Sequence, residues 1–195
     1  KGWNTNLSHQ RKLKSYKVEV NWYEEFSKNI DNRCRVPQGL MTFTSENESL
    51  IVMEDLSSLG FDCIVKEANK EHLKSSLRWL ANFHACYMNT SSSSLWETGT
   101  YWHLDTRPDE LEALEDEELK NYALEIDSIL KNTKYQTIVH GDAKLANFCF
   151  NSSGTLSSAV DFQYVGQGCG MKDVILFMSS AIKPEDLESM ESWCL

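Results

Sequence analysis

The sequence predicts an α+β fold, built from two short β-hairpins and several amphipathic helices. Three observations support this class: apolar residues recur at helical spacing in long segments, β-rich runs flank polar turns, and the order is helix, hairpin, helices and then a second β unit. With 195 residues, a hydrophobic content of 41% and only 3 Pro, the chain is long enough to bury a core and is not a low-complexity polymer.

The first predicted helix covers residues 14–30. Its apolar positions recur every four residues, which is typical of an amphipathic helix: Val18, Trp22, Phe26 and Ile30. Glu19 lies at the edge of this apolar stripe, beside residues that we expect to be buried. Its carboxylate therefore needs a cationic or hydrogen-bonding partner.

The remaining helices and the first hairpin follow from the same rules. Residues 39–43 and 50–53 are predicted to be two strands joined by a polar turn. Apolar spacing predicts a second amphipathic helix over residues 73–88. An acid-rich segment that starts at residue 109 and runs to about residue 130 is predicted to be a third helix, because Pro108 suits a helix start.

The chain is acidic, with 19 Lys and Arg, 29 Asp and Glu, a formal net charge of −10 and a pI near 5.0. Such a field repels phosphate backbones and anionic lipids, so we expect neither nucleic acid nor a membrane surface as a partner. The longest apolar runs, such as residues 174–178, are far shorter than the roughly 20 residues of a membrane span, and the basic opening lacks the apolar part of a secretory signal. We therefore expect a cytoplasmic protein.

The six cysteines lie far apart, which predicts reduced, mostly buried thiols.

The segment 137–161 is predicted to form a loop followed by a β-hairpin. A β-branched pair leads into a loop that ends at Asp142. Two further β-rich runs, residues 147–150 and 156–160, flank a turn of Asn, Ser and Gly residues. The chain is expected to reverse at Gly154, which suits a tight turn.

This hairpin is expected to gather three oxygen-bearing side chains. If Asn147 lies opposite Asp161, then Asp142, Asn147 and Asp161 meet at one end of it. The Asn147 amide oxygen and the Asp161 carboxylate are hard donors, which suit Mg²⁺ with its shell completed by phosphate and water, whereas the His and Cys cluster that zinc prefers is missing. Asp142 is then left to orient a hydroxyl or accept its proton, and Lys144 to neutralise charge on the transferred group. This division of labour is that of phosphoryl transfer.

Two motifs in this segment resemble those of a known fold. HGDAKLAN, residues 140–147, resembles the catalytic loop H-x-D-x-K-x-x-N of the protein-kinase-like fold, and VDFQ, residues 160–163, resembles the metal-binding segment that follows it. Gly141 in place of Arg and Gln163 in place of Gly indicate the small-molecule branch. The chain is similar there to the aminoglycoside and choline phosphotransferases, and it is most similar to the ecdysteroid-kinase-like group.

This resemblance implies an ATP-dependent and Mg²⁺-dependent kinase that phosphorylates an alcohol group of a small molecule. It makes Asp142 the catalytic base, assisted by Lys144, and makes Asn147 and Asp161 the Mg²⁺ ligands. Glu19 becomes the carboxylate that holds a phosphate-binding lysine.

The resemblance also implies two lobes. Residues 1–56 become a partial N-terminal lobe, a helix and a hairpin that end in a hinge, and residues 57–195 become a mainly helical C-terminal lobe with the catalytic loop and the metal-binding strand. The hinge is VMEDL, residues 52–56, whose backbone meets the adenine of ATP. Its nucleotide-binding positions are Met53, Glu54 and Leu56.

Some alternatives remain open. No glycine-rich loop and no strand lysine precede Glu19, so we expect the sequence to omit residues of a longer protein. A catalytically inactive nucleotide-binding protein or scaffold remains the alternative function, and a metal-dependent hydrolase ranks below it because few His ligands are present. The acceptor is undetermined, since the negative charge favours a cationic substrate while the resemblance allows a neutral polyol or sterol.

Residues around the catalytic segment are predicted to have structural roles. His140 is expected to hold the loop by hydrogen bonding, and His84 to be a satisfied core histidine. Asp173 is expected to start a helix and brace the catalytic loop. The glycine-rich segment 166–170 is expected to be a flexible loop that enters this helix.

Overall fold

The structure is a computed structural model that describes residues 5–45, 48–101 and 103–195. Its helices are α1 (Thr5–Asn21), α2 (Lys70–Cys86), α3 (Pro108–Glu112), α4 (Glu117–Asn132), α5 (Met171–Ala181) and α6 (Leu187–Cys194). Its strands are β1 (Gly39–Thr44), β2 (Ser49–Met53), β3 (Gln136–Val139), β4 (Phe148–Phe150), β5 (Ser157–Ala159) and β6 (Gly166–Cys169). The α+β class predicted from the sequence is confirmed, as are the first hairpin and the helix that became α2.

The first helix begins earlier than predicted and ends irregularly. After α1 the chain makes a wide π-helical turn over Trp22–Phe26 and a 3₁₀ turn over Ser27–Asn29. Within the wide turn the adjacent residues Trp22 and Tyr23 are both buried. Turns of this kind are frequent at functional sites, and this one directly follows the segment of α1 that carries Glu19.

The second hairpin, β4 with β5, forms as predicted but with a different register. Phe148 lies opposite Ala159, and the Val160 N–H donates to the Asn147 carbonyl at 3.0 Å. Asn147 therefore lies opposite Val160 rather than Asp161. The reason is the turn, which closes with the Leu156 N–H donating to the Asn151 carboxamide oxygen at 3.0 Å.

The acid-rich segment after Pro108 is not one helix, so the prediction of a single helix from residue 109 to about residue 130 is wrong. It forms α3 and α4, which are separated by a break between Glu112 and Glu117. The Asp116 carboxylate accepts the Leu119 N–H at 2.9 Å, and this N-cap starts a new helix.

The prediction of a flexible loop over residues 166–170 is also wrong. Most of this segment is β6, which pairs antiparallel with β3. On its other edge, β6 packs closely against Trp96, and this contact depends on the missing side chain of Gly166, since a Cβ there would lie 2.1 Å from the Trp96 carbonyl oxygen. The glycines therefore allow close backbone packing at a position where composition alone indicates a loop.

The buried residues form one hydrophobic cluster that includes side chains from α1, α2, the β4–β5 hairpin and α5. Its centre is aromatic. The Trp22 ring stacks on Phe162 with 4.4 Å between ring centroids, and Trp79 stacks on Phe83 at 4.8 Å. Because Phe162 directly follows Asp161, this core positions the candidate site.

Within the described ranges, no helix combines the length and the apolar character that crossing a membrane requires.

Replacing Trp22 by Ala should lower the free energy of unfolding by about 3–5 kcal/mol, because a fully buried ring that stacks on Phe162 is lost. Trp193→Ala is the matched control, since 47% of Trp193 is exposed, and it should cost less than about 1 kcal/mol. Urea denaturation followed by circular dichroism measures both. Equal losses in the two variants would contradict this account of the core.

Candidate active site

The loop between β3 and β4 is anchored by a buried carboxylate. Asp173, in the first turn of α5, accepts the N–H groups of His140 at 2.7 Å and Gly141 at 2.9 Å. Its Oδ2 atom also lies 2.8 Å from Nε2 of His84 on α2. The predicted structural roles of Asp173 and His84 are therefore both confirmed.

Gly141 adopts a backbone conformation and a packing that exclude a side chain. Its φ angle is +83°, and a Cβ would lie 2.0 Å from the Tyr164 carbonyl oxygen. The loop and the segment after Asp161 are thus in direct backbone contact at this glycine.

The His140 ring connects the loop to the end of the second hairpin. Its Nδ1 atom accepts the Asp142 N–H at 3.2 Å, and Nε2 lies 3.0 Å from the Val160 carbonyl, to which it donates. Burial lowers the pKa of His140 below its usual range, although the nearby Asp173 charge acts in the opposite direction. The neutral ring therefore positions the loop, as the sequence predicted.

The structure brings Asp142, Lys144 and Asn147 into one cluster. The Lys144 ammonium donates to Asp142 Oδ2 at 2.6 Å, and the Asn147 Nδ2 atom donates to the same oxygen at 3.1 Å and to the Asp142 carbonyl at 2.8 Å. Because the amide nitrogen of Asn147 is used in this way, its amide oxygen remains available as a ligand. The Asp142 side chain is only 13% exposed.

Asp161 lies just beyond β5 and has two unusual features. Its φ angle of +68° is in the left-handed region, which is uncommon for a residue other than glycine. Its Oδ1 atom is buried and makes no hydrogen bond within the part of the chain that the structure describes. A buried carboxylate oxygen without a donor costs free energy, and such outliers are enriched at functional sites.

The donor set fits Mg²⁺. A cation would satisfy the orphaned Asp161 oxygen, and the Asn147 amide oxygen is of the same hard type. Among the described residues, no group of three or more His, Cys, Asp and Glu is arranged to hold a metal ion. Mg²⁺ commonly takes one or two protein ligands and completes its shell with phosphates and waters.

Glu19 lies next to this site. Its Oε1 atom accepts the Phe162 N–H at 3.1 Å. Burial, followed by the charge of Asp161, raises the pKa of Glu19 to about 7. The Phe162 N–H is thus the hydrogen-bonding partner that was one of the two kinds predicted for this carboxylate, while its contact with a phosphate-binding lysine stays a prediction.

Of the three predicted hinge positions, only Met53 lines the cavity that also contains Glu19. Glu19, Met53 and Gln163 line one cavity of about 850 Å³. Glu54 and Leu56 do not line it: the Glu54 carboxylate pairs with Arg35 at 2.6 Å and its backbone N–H donates to the Gln38 carbonyl at 3.0 Å, while Leu56 is buried.

Two residues that connect the site to the rest of the fold were missed by the sequence analysis. The Arg35 carbonyl accepts the Trp79 Nε1–H at 2.7 Å and the Ser158 hydroxyl at 2.9 Å. The Gln163 carbonyl accepts the Trp96 Nε1–H at 2.7 Å. These partners are more than 40 residues apart in the chain, so no local pattern reveals them.

Removing the Asp173 carboxylate should destabilise the protein strongly. Burial alone would raise the pKa of Asp173, but the hydrogen bond and charge of His84, with smaller contributions from the loop, bring it below its ordinary value. The ionised side chain therefore stabilises the fold above the unfolded pKa, and this contribution is lost as the pH falls through the lower folded pKa. Asp173→Ala should cost about 3–5 kcal/mol at pH 7.

Urea denaturation at several pH values measures this effect. The difference between the original chain and Asp173→Ala should shrink below about pH 4. The exposed Asp186→Ala serves as the control and should unfold like the original chain. A difference that stays constant down to pH 2 would contradict the role of the ionised carboxylate.

The N-terminal part of the chain matches a known protein family. Residues 6–98 match the sequence model of the Ecdysteroid kinase-like family. This segment contains Glu19 and the predicted hinge and ends before the catalytic loop. No curated protein sequence matches the chain.

Solved structures match over nearly the whole chain. Aminoglycoside phosphotransferase APH(3'')-Id from Streptomyces rimosus ATCC10970, in complex with ADP and streptomycin, has a TM-score of 0.59 at 13% identity, covering 96% of this chain and 74% of that one. A second structure of that enzyme has a TM-score of 0.54 at 12% identity with the same coverage. At these identities the similarity is one of fold. The protein therefore has the kinase-like fold of the aminoglycoside phosphotransferases, and residues 6–98 carry the sequence pattern of the ecdysteroid kinase-like family that its motifs resemble.

Proposed function

We propose that this protein transfers the γ-phosphoryl group of ATP to a hydroxyl group of a small organic molecule. The observation that supports this most is the contact between the loop and the second hairpin. The carbonyl of Asn147, whose side chain clusters with Asp142 and Lys144, accepts the Val160 N–H, and the next residue, Asp161, has a buried oxygen without a donor among the described residues. Phosphoryl transfer needs a group that orients the hydroxyl and a site for the cation that accompanies the phosphates.

Asp142 would orient the acceptor hydroxyl and take up its proton. Among the described residues, side-chain hydrogen bonds reach only its Oδ2 atom, from Lys144 and Asn147. These two bonds fix the plane of the carboxylate, so that Oδ1 is left to accept the proton of an incoming hydroxyl. A positioned base of this kind raises the reaction rate roughly 10²–10⁴-fold.

Asn147 and Asp161 would hold Mg²⁺, and the cavity lined by Glu19 and Met53 would receive the nucleotide. When bound, the ion neutralises phosphate charge and aligns the transferred group. Lys144 adds a positive charge beside the reacting hydroxyl. Its side chain is 42% exposed while the ammonium contacts Asp142, so it can also approach a phosphate oxygen.

A nucleotide-binding protein that does not transfer phosphate is the second candidate. Its support is that, among the described residues, no cation pairs with the half-buried carboxylate of Glu19. The two candidates differ in one measurement. A kinase releases ADP in a manner that depends on an added alcohol, whereas the inactive protein binds ATP without alcohol-dependent release.

A screen of ADP release with ATP, Mg²⁺ and a panel of alcohols tests the proposal. The panel should contain cationic acceptors such as choline and streptomycin and neutral acceptors such as a polyol and a sterol. Release above the background with at least one alcohol supports the kinase. ATP binding without release from any of them favours the second candidate.

Asp142→Asn should reduce alcohol-dependent ADP release by at least about 100-fold, because the amide cannot accept the proton. Binding of ATP with Mg²⁺ should persist, since Asp142 is not a proposed metal ligand. The control is Asp109→Asn, an exposed position in α3, which should retain full activity. Normal turnover by Asp142→Asn would show that the role assigned to Asp142 is wrong.

Asp161→Asn should weaken Mg²⁺-dependent nucleotide binding by about tenfold or more, because a charged ligand of the ion is replaced by a neutral one. Titration with a fluorescent ATP analogue, with Mg²⁺ and then with EDTA, measures this. The original chain and the variant should bind alike in EDTA. Equal affinity in Mg²⁺ would remove Asp161 from the metal site.

A further inference from the structure

Two cysteines that are distant in sequence lie in contact. The Sγ atoms of Cys34 and Cys86 are 3.9 Å apart. Cys34 is fully buried at the end of a second 3₁₀ turn, Asn32–Cys34, and Cys86 is exposed as the last residue of α2. All six cysteines are free thiols in the structure, but Cys34 alone is fully buried, so the prediction of mostly buried thiols is wrong.

The local structure permits these sulfurs to come closer. A disulfide needs about 2.05 Å between its sulfurs, so the pair has to approach by roughly 2 Å. Cys86 lies at the end of α2, and Tyr87 after it has left the helical conformation, with φ −111° and ψ 15°. A side-chain rotation at this helix end changes the position of the Cys86 sulfur without breaking the body of α2.

The surroundings also distinguish the two thiols chemically. Burial raises the pKa of the Cys34 thiol, followed by the effect of the neighbouring Cys86. Of these two sulfurs, only that of Cys86 belongs to a residue exposed to solvent. Cys86 is therefore the thiol that an oxidant in solution reaches first.

We propose that Cys34 and Cys86 are a redox modification site that forms a reversible disulfide with a peroxide as oxidant. The Cys86 thiolate attacks a peroxide oxygen, breaks the O–O bond and becomes a sulfenic acid, while the other oxygen leaves as hydroxide and is protonated to water. The Cys34 sulfur then displaces the hydroxyl of the sulfenic acid, which leaves as a second water, and the S–S bond forms. The two thiols lose two electrons in total, and the peroxide gains them.

The disulfide would fix the segment that leads from α1 into the first hairpin. Arg35, next to Cys34, binds Trp79 and Ser158 through its carbonyl and Glu54 through its guanidinium. A bond from Cys34 to α2 therefore restrains the connection to the predicted hinge residue Glu54. This consequence rests on contacts in the structure and does not require the protein to be a kinase.

Peptide mapping tests the proposal. The reduced protein is treated with hydrogen peroxide, its remaining thiols are alkylated, and it is digested with a glutamate-specific protease. We expect peptide 26–46 to be linked to peptide 72–97, and we expect dithiothreitol to remove the link. The number of alkylated thiols should fall by two. Absence of this linked pair, or a link between two copies of the chain instead, would overturn the proposal.

Variants separate the disulfide from general oxidation. Cys86→Ser, at an exposed position, should fold normally and give no linked peptides, while Cys63→Ser, the matched control, should give the same link as the original chain. Oxidation should also raise the melting temperature of the original chain by several degrees and leave that of Cys86→Ser unchanged. Equal shifts in both proteins would show that the effect does not come from this pair.

Discussion

The carboxylate of Asp173 is the constraint on which the candidate site depends. It accepts two consecutive backbone N–H groups of the loop that carries Asp142, and it binds a ring nitrogen of His84 on α2. A side chain that is 1% exposed and ionised is tolerated only when donors surround it, so each of these contacts requires the others. The position of Asp142 is thus set by two helices that lie on either side of it in the sequence.

The aromatic core imposes a second constraint, on the segment that carries Asp161. The Phe162 ring stacks on Trp22 and the Phe162 N–H donates to Glu19, so α1 and the wide turn that follows it hold this residue by a polar and an apolar contact together. Core packing and site geometry are therefore not separable here. A substitution on the buried face of α1 would therefore affect the position of Asp161, which is next to Phe162, even though α1 and Asp161 are far apart in the sequence.

Features that depend on neighbouring residues were predictable from the sequence, whereas features that depend on distant contacts were not. The loop that carries Asp142 and the hairpin after it follow from β-branched runs and turn residues, but the observed register, with the Val160 N–H donating to the Asn147 carbonyl, differs by one residue from the predicted one. Strand β6 has the composition of a loop, yet it pairs with β3 and its Gly166 packs against the Trp96 carbonyl, and both partners are distant in the sequence. The hydrogen bonds of the Arg35 carbonyl could not be predicted from the residues around it, because their donors, Trp79 and Ser158, lie in elements far along the sequence.

The conformation of Asp161 links the stability of the fold to the binding of an ion at this residue. A left-handed backbone and a buried oxygen without a donor in the described chain both oppose folding at this one residue. The ring contacts and hydrogen bonds around Asp161 must therefore contribute enough free energy to offset this cost. Thermodynamic linkage then requires that any ion which satisfies this oxygen also shifts the balance towards the native state, so occupancy and resistance to heat rise together.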